Sequence, residues 1–239
     1  MLKSLNKKKM AQLRKEINLP LIVNLSHQKG GVGKSTLAYN IADAFRILGF
    51  KVKLLDLDIQ NTCEEVNALR VSPFTDIKKV LNKEKLIELI NNSSSHGSEI
   101  LIIDTGGFDA SLSKLAILGA DINLTPISDK VTEILAVVKK YNQTLKEIES
   151  DTNRYVSSYV ILNRIHPVAN YFKHIEEMIK DSFYMNMFKT IIRDRSIYDK
   201  SFIDGRTVFE ASDLKGHKEA MDEISSLCHE LIEIHINKG

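Results

Sequence analysis

At 239 residues the chain is long enough for one large α/β domain, one that buries roughly 70 to 75% of the surface exposed by its unfolded form. Its 33 lysines and arginines nearly balance 31 aspartates and glutamates, and the net charge of +2 excludes a polyanion-binding role carried by overall charge; any such role needs local clustering. Cys63 and Cys228 form no Cys-x-x-Cys pair, which argues against a disulfide framework, a zinc site and an iron–sulfur cluster.

Residues 1–19 place Leu2, Leu5, Met10, Leu13 and Ile17 between basic residues that include Lys7, Lys8, Lys9, Arg14 and Lys15. This predicts a basic amphipathic helix preceding a single domain at 20–239. From Pro20 a strand-then-helix rhythm begins: LIVNLS, a helix over 34–48 stopped by Gly49, then VKLLDLD. Residues 73–90 predict two helices, NNSSSHGS a polar turn, and EILIID a buried strand. INLTPI leads into the helix VTEILAVVKKYNQTLKEIE, and YVSSYVILN into a helix near 170–181; Gly205 breaks the following loop, and 215–236 predict a closing helix. Apolar strands alternating with amphipathic helices indicate an α/β fold: a doubly wound, mostly parallel sheet with helices on both faces. The apolar runs are far shorter than the roughly 18 residues of a membrane span, and the basic start lacks the apolar stretch of a secretory signal. A soluble cytoplasmic protein with free thiols is expected.

Residues 27–36 read HQKGGVGKST, after an apolar strand and opening a helix. In that setting glycines let backbone N–H groups turn inward around phosphates, and the helix N-terminus adds a favourable dipole. Gly30, Gly31, Val32, Gly33, Lys34, Ser35 and Thr36 are the expected cradle, with Lys34 on the β- and γ-phosphates and Ser35 on Mg²⁺. In EILIIDTGG an apolar strand delivers Asp104 beside the loop, where a carboxylate holds Mg²⁺ through a water. In ILNRIHP, Asn163 has the side-chain amide that pairs with adenine N6 and N7, and His166 stands where a guanine-specific loop would want an aspartate. ATP is therefore preferred over GTP. His27 and His166 show no metal spacing and read as surface or loop residues.

Gln28 replaces the first glycine of the ordinary loop pattern, and KGGVGKS resembles the deviant Walker A loop of the ParA/MinD family of ATPases. DLDIQ at 56–60 is similar to the family's DxDPQ segment, with Ile59 in place of proline, and Gly106 and Gly107 stand where family members often have prolines. The resemblance covers most of the chain from residue 21 onward. It implies that Asp58 positions the attacking water and meets Mg²⁺ through a water, with Asp56 supporting the metal shell or a lysine. It also implies that Lys29 crosses to the nucleotide of a second subunit, so that ATP and Mg²⁺ join a homodimer.

Among ParA-type members the resemblance further implies non-specific DNA binding by the ATP dimer, a centromere-binding ParB-type partner, and a nucleoid-associated cytoplasmic location without membrane. The late stretch IIRDRSIYDKSFIDGRTVFE offers Arg193, Arg195, Lys200 and Arg206 as DNA contacts, with Lys215 and Lys218 behind them. Alternatives are a MinD-like membrane-associated positioning ATPase, disfavoured by the acidic end DEISSLCHELIEIHINKG, and a metabolic ATP-dependent ligase-type enzyme of the same fold.

Overall fold

The computed structural model describes residues 16–27, 29–58, 62–70, 76–93, 99–106, 110–170 and 172–238. The basic segment at 1–15, Gln28, Ile59 and Gly107 lie outside the described residues. Among these residues seven strands form one sheet: β1 Leu21–Leu25, β2 Val52–Asp56, β3 Asp76–Lys79, β4 Ile100–Asp104, β5 Ile122–Ile127, β6 Ser158–Ile165 and β7 Met185–Arg193. Their order is β3-β2-β4-β1-β5-β6-β7, and every pairing is parallel.

Strand periodicity sorts the core into two layers. Leu21, Val23, Leu25, Ile100 and Ile102 pack on one face, against helix α1 (Lys34–Ile47) and the long C-terminal helix. Ile22, Leu101 and Ile103 pack on the other face, with Leu86, Leu89, Leu112 and Ala116. The second face is covered by α3 (Lys83–Asn91) and α4 (Ala110–Gly119), and farther along by α5 (Val131–Leu135), a π-helical turn at Ala136–Tyr141, α6 (Asn142–Thr152) and α7 (Lys173–Lys180). The remaining helices are α2 (Thr62–Ala68), α8 (Ser196–Ile203) and α9 (His217–Lys238). The doubly wound, helix-covered architecture is as expected, and the sheet is wholly parallel rather than mostly so.

Two expectations change. Two helices are expected over 73–90, but the described part, from 76 onward, holds a strand and one helix: β3 pairs with β2 from Lys53↔Asp76 to Asp56↔Lys79, and Asn82 then starts α3 by accepting from Lys85 N at 2.9 Å. A four-residue edge strand, DIKK, has one solvated face and three charges, so it lacks the apolar signature of a buried strand. β7 was not expected at all. It lies at an edge, its polar residues Asn186, Lys189, Thr190 and Arg193 follow no strict alternation, and two register shifts against β6 break its period.

The chain passes from β1 to β2 on one side and from β4 to β5 on the other, so β1 sits where the winding reverses. Ligand sites of open parallel sheets form at the carboxyl ends of such strands. Leu25, Asp56 and Asp104 end there side by side, in register.

Candidate nucleotide-binding site

The turn from β1 into α1 leaves its helix amides open. Gly33 occupies the N-cap with φ 88°, no side chain caps it, and the first turn carries no acid. Uncapped amides at a helix N-terminus suit an anion. Position 33 favours glycine for its left-handed φ, and an added Cβ would also lie 2.5 Å from Asn163 Nδ2. Lys34 is buried, and its Nζ donates to the Lys29 carbonyl at 3.2 Å. Burial pulls its pKa below the ordinary lysine range, against the pull of Asp104 and Asp58. A buried ammonium held by one carbonyl is well placed to accept phosphate oxygens. Lys29 differs: its exposed side chain rests with Nζ 3.5 Å from the Thr132 carbonyl on α5, outside the cradle.

The carboxylates divide the work. Asp56 Oδ1 accepts from Asp58 N at 3.0 Å and Oδ2 from Cys63 N at 2.9 Å. Asp56 thereby shapes the loop that carries Asp58. Asp104 is 1% exposed. Its Oδ2 accepts from the Cys63 thiol, the Ser35 side chain also donates to the carboxylate, and Oδ1 has no partner. Burial pushes its pKa up to about 6, with the Ser35 donor and Lys34 opposing. A buried carboxylate oxygen without a donor, beside a hydroxyl that opens α1, fits a magnesium ion bound through Ser35 and through a water on Asp104. Asp58 stands close by: a Cβ at Gly106 would lie 2.8 Å from Asp58 Cα, so the loops after β2 and β4 touch at that glycine.

Asn163 lies within β6, which runs on to Ile165 rather than ending at Asn163. Its side chain is buried, and Nδ2 donates to the Val32 carbonyl at 2.7 Å. Next to it Arg164, with φ 59°, donates to the Gly31 carbonyl at 3.0 Å. The pair braces the phosphate loop from β6, a role the sequence signalled only through the polar step in ILNRI. A narrow pocket lined by Gly33, Thr36, Asn163, Arg193, Arg195 and Tyr198 opens beside them.

That location bears on the predicted DNA contacts. Arg193 and Arg195 face the pocket next to the loop, Arg193 donating to the His166 carbonyl at 3.3 Å and Arg195 pairing with Glu223 at 2.8 Å. Arg206 pairs with Asp213 at 2.6 Å and Asp204 at 3.0 Å. Lys200, Lys215 and Lys218 are exposed.

His27, expected at the surface or in a loop, lies in the segment after β1 but is buried. It is 4% exposed and lies under the loop, where its Nδ1 accepts from Lys29 N at 2.8 Å. Burial, reinforced by Lys34, drives its pKa down to about 4. The neutral ring therefore carries its proton on Nε2, a buried atom without a partner. Cys63 was likewise read only as a free thiol. Among the described residues no cluster of three or more histidine, cysteine or acidic side chains could hold a metal.

A family model described as an AAA domain matches residues 21–162, more than half of the chain. The septum site-determining protein MinD of Helicobacter pylori is 27% identical, over 68% of this chain and 74% of the relative. Among solved structures, a MinD cell division protein from Aquifex aeolicus aligns with TM-score 0.67 and 19% identity, covering 87% of this chain and 97% of that one. A putative plasmid partition protein from Borrelia burgdorferi bound to AMPPNP aligns with TM-score 0.59 and 19% identity, covering 92% and 100%. At those identities the structures show the shared fold. With the matched domain, the glycine loop and its two lysines, the chain belongs to the ParA/MinD family of deviant Walker A P-loop ATPases.

Proposed function

We propose that the protein is an ATP-dependent dimerising switch for DNA partition, binding DNA non-specifically as the ATP dimer and releasing it on hydrolysis stimulated by a centromere-binding ParB-type partner. The observation that carries the switch is the meeting of Lys34, Ser35, Asp58 and Asp104 at the ends of neighbouring strands while Lys29 stays exposed at the rim.

The steps follow from these residues. The open amides of α1 and the Lys34 ammonium bind the β- and γ-phosphates. Ser35 and Asp104 hold Mg²⁺, which when bound neutralises charge on the phosphate oxygens. Asp58 orients the attacking water in line and accepts its proton as the water oxygen bonds to the γ-phosphorus and the bond to the β–γ bridging oxygen breaks, with ADP as the leaving group. Lys29 reaches the nucleotide of a second copy, where its charge both senses ATP and stabilises the transition state in trans. The two copies separate when the γ-phosphate leaves.

For DNA contact the reading rests on Arg193, Arg195, Lys200 and Arg206, with Lys215 and Lys218. Lys200 leads, because the arginine charges are shared with Glu223, Asp204, Asp213 and the carbonyls of His166 and Ala169.

The similarity to a septum site-determining protein favours a second reading, a membrane-associated positioning ATPase. Helix α9 offers it little, since Ile224, Leu227, Leu231 and Ile232 are packed in the core. Among the described residues no helix is long and apolar enough to cross a membrane.

Binding to random duplex DNA with ATP, ADP or no nucleotide, at two salt concentrations, separates the readings. ATP-dependent, salt-sensitive binding is expected, and Lys200→Glu should weaken it and flatten the salt slope by about one. Equal weak binding in all states, with recruitment to anionic vesicles instead, would refute the partition role.

A further inference from the structure

Cys63 lies where three segments of the site converge. Its N–H donates to Asp56 Oδ2 at the start of α2, its Sγ lies 3.4 Å from Asp104 Oδ2, and the same sulfur lies 3.7 Å from the Ser35 carbonyl. One residue therefore touches the end of β2, the end of β4 and the first turn of α1. The thiol has a single proton, and an ionised carboxylate accepts it more strongly than a carbonyl. The S–H accordingly belongs to Asp104.

The second observation is on Asp104 itself. With Oδ2 occupied by the thiol, Oδ1 is the buried oxygen left without a donor. A carboxylate at a metal site works only when its plane is fixed, and the group that fixes it is a neighbouring hydrogen-bond donor. Ser35 also donates to this carboxylate, and its hydroxyl can do so while a lone pair faces the metal, so the thiol is a second donor fixing the same group.

We propose that Cys63 is a positioning residue for magnesium binding: its S–H holds Oδ2 of Asp104 and presents Oδ1 to a metal-bound water, linking the order of α2 to the metal. The inference rests on reading Asp104 as the magnesium carboxylate.

The test is Mg²⁺ titration of binding to a fluorescent ADP, using the full chain and its Cys63→Ala and Cys63→Ser variants, with parallel measurements in EDTA. Cys63→Ala should raise the half-saturating Mg²⁺ about tenfold while leaving metal-free ADP affinity unchanged. Cys63→Ser, which keeps a donor, should stay within about threefold of the parent. An unchanged midpoint in Cys63→Ala overturns the proposal, and so do equal shifts in both variants, which would mark a packing role. If the parent chain itself shows no Mg²⁺ dependence, the reading of Asp104 fails first.

Infrared spectroscopy covers the case in which the Cys63 variants do not fold. In Cys228→Ala protein the remaining S–H stretch should sit at the lowered frequency of a hydrogen-bonded thiol and rise in the Asp104→Asn background. A free-thiol frequency in the parent would overturn the proposal.

Discussion

His27 and Asp104 make opposite demands on pH. The folded state holds His27 near pKa 4, against an ordinary 6.5, so between those values the unfolded chain binds a proton that the folded one refuses. Its contribution is complete above the ordinary value and is lost as pH falls toward 4, by up to roughly 3 kcal/mol. Asp104 runs the other way. Its folded pKa of about 6 exceeds the ordinary 3.8, so stability declines as pH rises between them, and burial of the charged form weighs on the fold above that window. Nucleotide-free His27→Asn, whose amide oxygen can still accept from Lys29 N, should therefore gain several degrees in melting temperature relative to the parent at pH 5 compared with pH 8. Equal differences at the two pH values would show that His27 is not held neutral. Gly106 gives a steric prediction. Gly106→Ala drives a methyl against the Asp58 backbone, so it should cost about 1–3 kcal/mol in denaturant unfolding and slow ATP turnover more than it weakens ATP binding. Parental stability and turnover would contradict that contact.

Elements were legible where they are buried on both faces. LIVNLS, EILIID and INLTPI carry continuous apolar runs because helices cover the sheet above and below them, and the loop following LIVNLS announced its own chemistry through spacing. β3 and β7 were not legible, because edge strands have less to bury and β7 has lost its period at two register shifts. What holds β7 is long-range: Glu230 on α9 accepts from Lys189 N at 2.7 Å, Thr190 N at 2.9 Å and the Thr190 hydroxyl at 2.7 Å. No local pattern reveals a partner 40 residues away. Glu230→Ala should cost about 1–3 kcal/mol by leaving these donors to water, with nucleotide affinity unchanged. Retained stability on chemical denaturation would show that the irregular strand holds itself. The site followed the same division. Lys34, Ser35, Asp58 and Asp104 were readable from motif and strand ends, whereas His27, Cys63 and Arg164 act through contacts that only the folded sheet creates.

At the scale of the whole molecule the two lysines of the loop separate by burial. Lys34 is enclosed and held by the loop's own carbonyl, so its positive charge is committed to a nucleotide bound within the same chain. Lys29 is exposed, and among the described residues its Nζ lies 3.5 Å from a carbonyl at the head of α5, a contact weak enough to exchange. An exposed lysine at the rim of a phosphate site is available to a second copy's polyphosphate, and the proposed switch depends on that exchange. Blocking hydrolysis and removing the lysine should thus have opposite effects on assembly: Asp58→Ala keeps the ATP-bound dimer, and Lys29→Ala abolishes it without abolishing ATP binding. Sedimentation velocity of the parent, Asp58→Ala and Lys29→Ala proteins with ATP and Mg²⁺ is the most direct measurement. The account predicts a persistent dimer for Asp58→Ala and a monomer for Lys29→Ala, and a Lys29→Ala protein that dimerises with ATP as the parent does would contradict it.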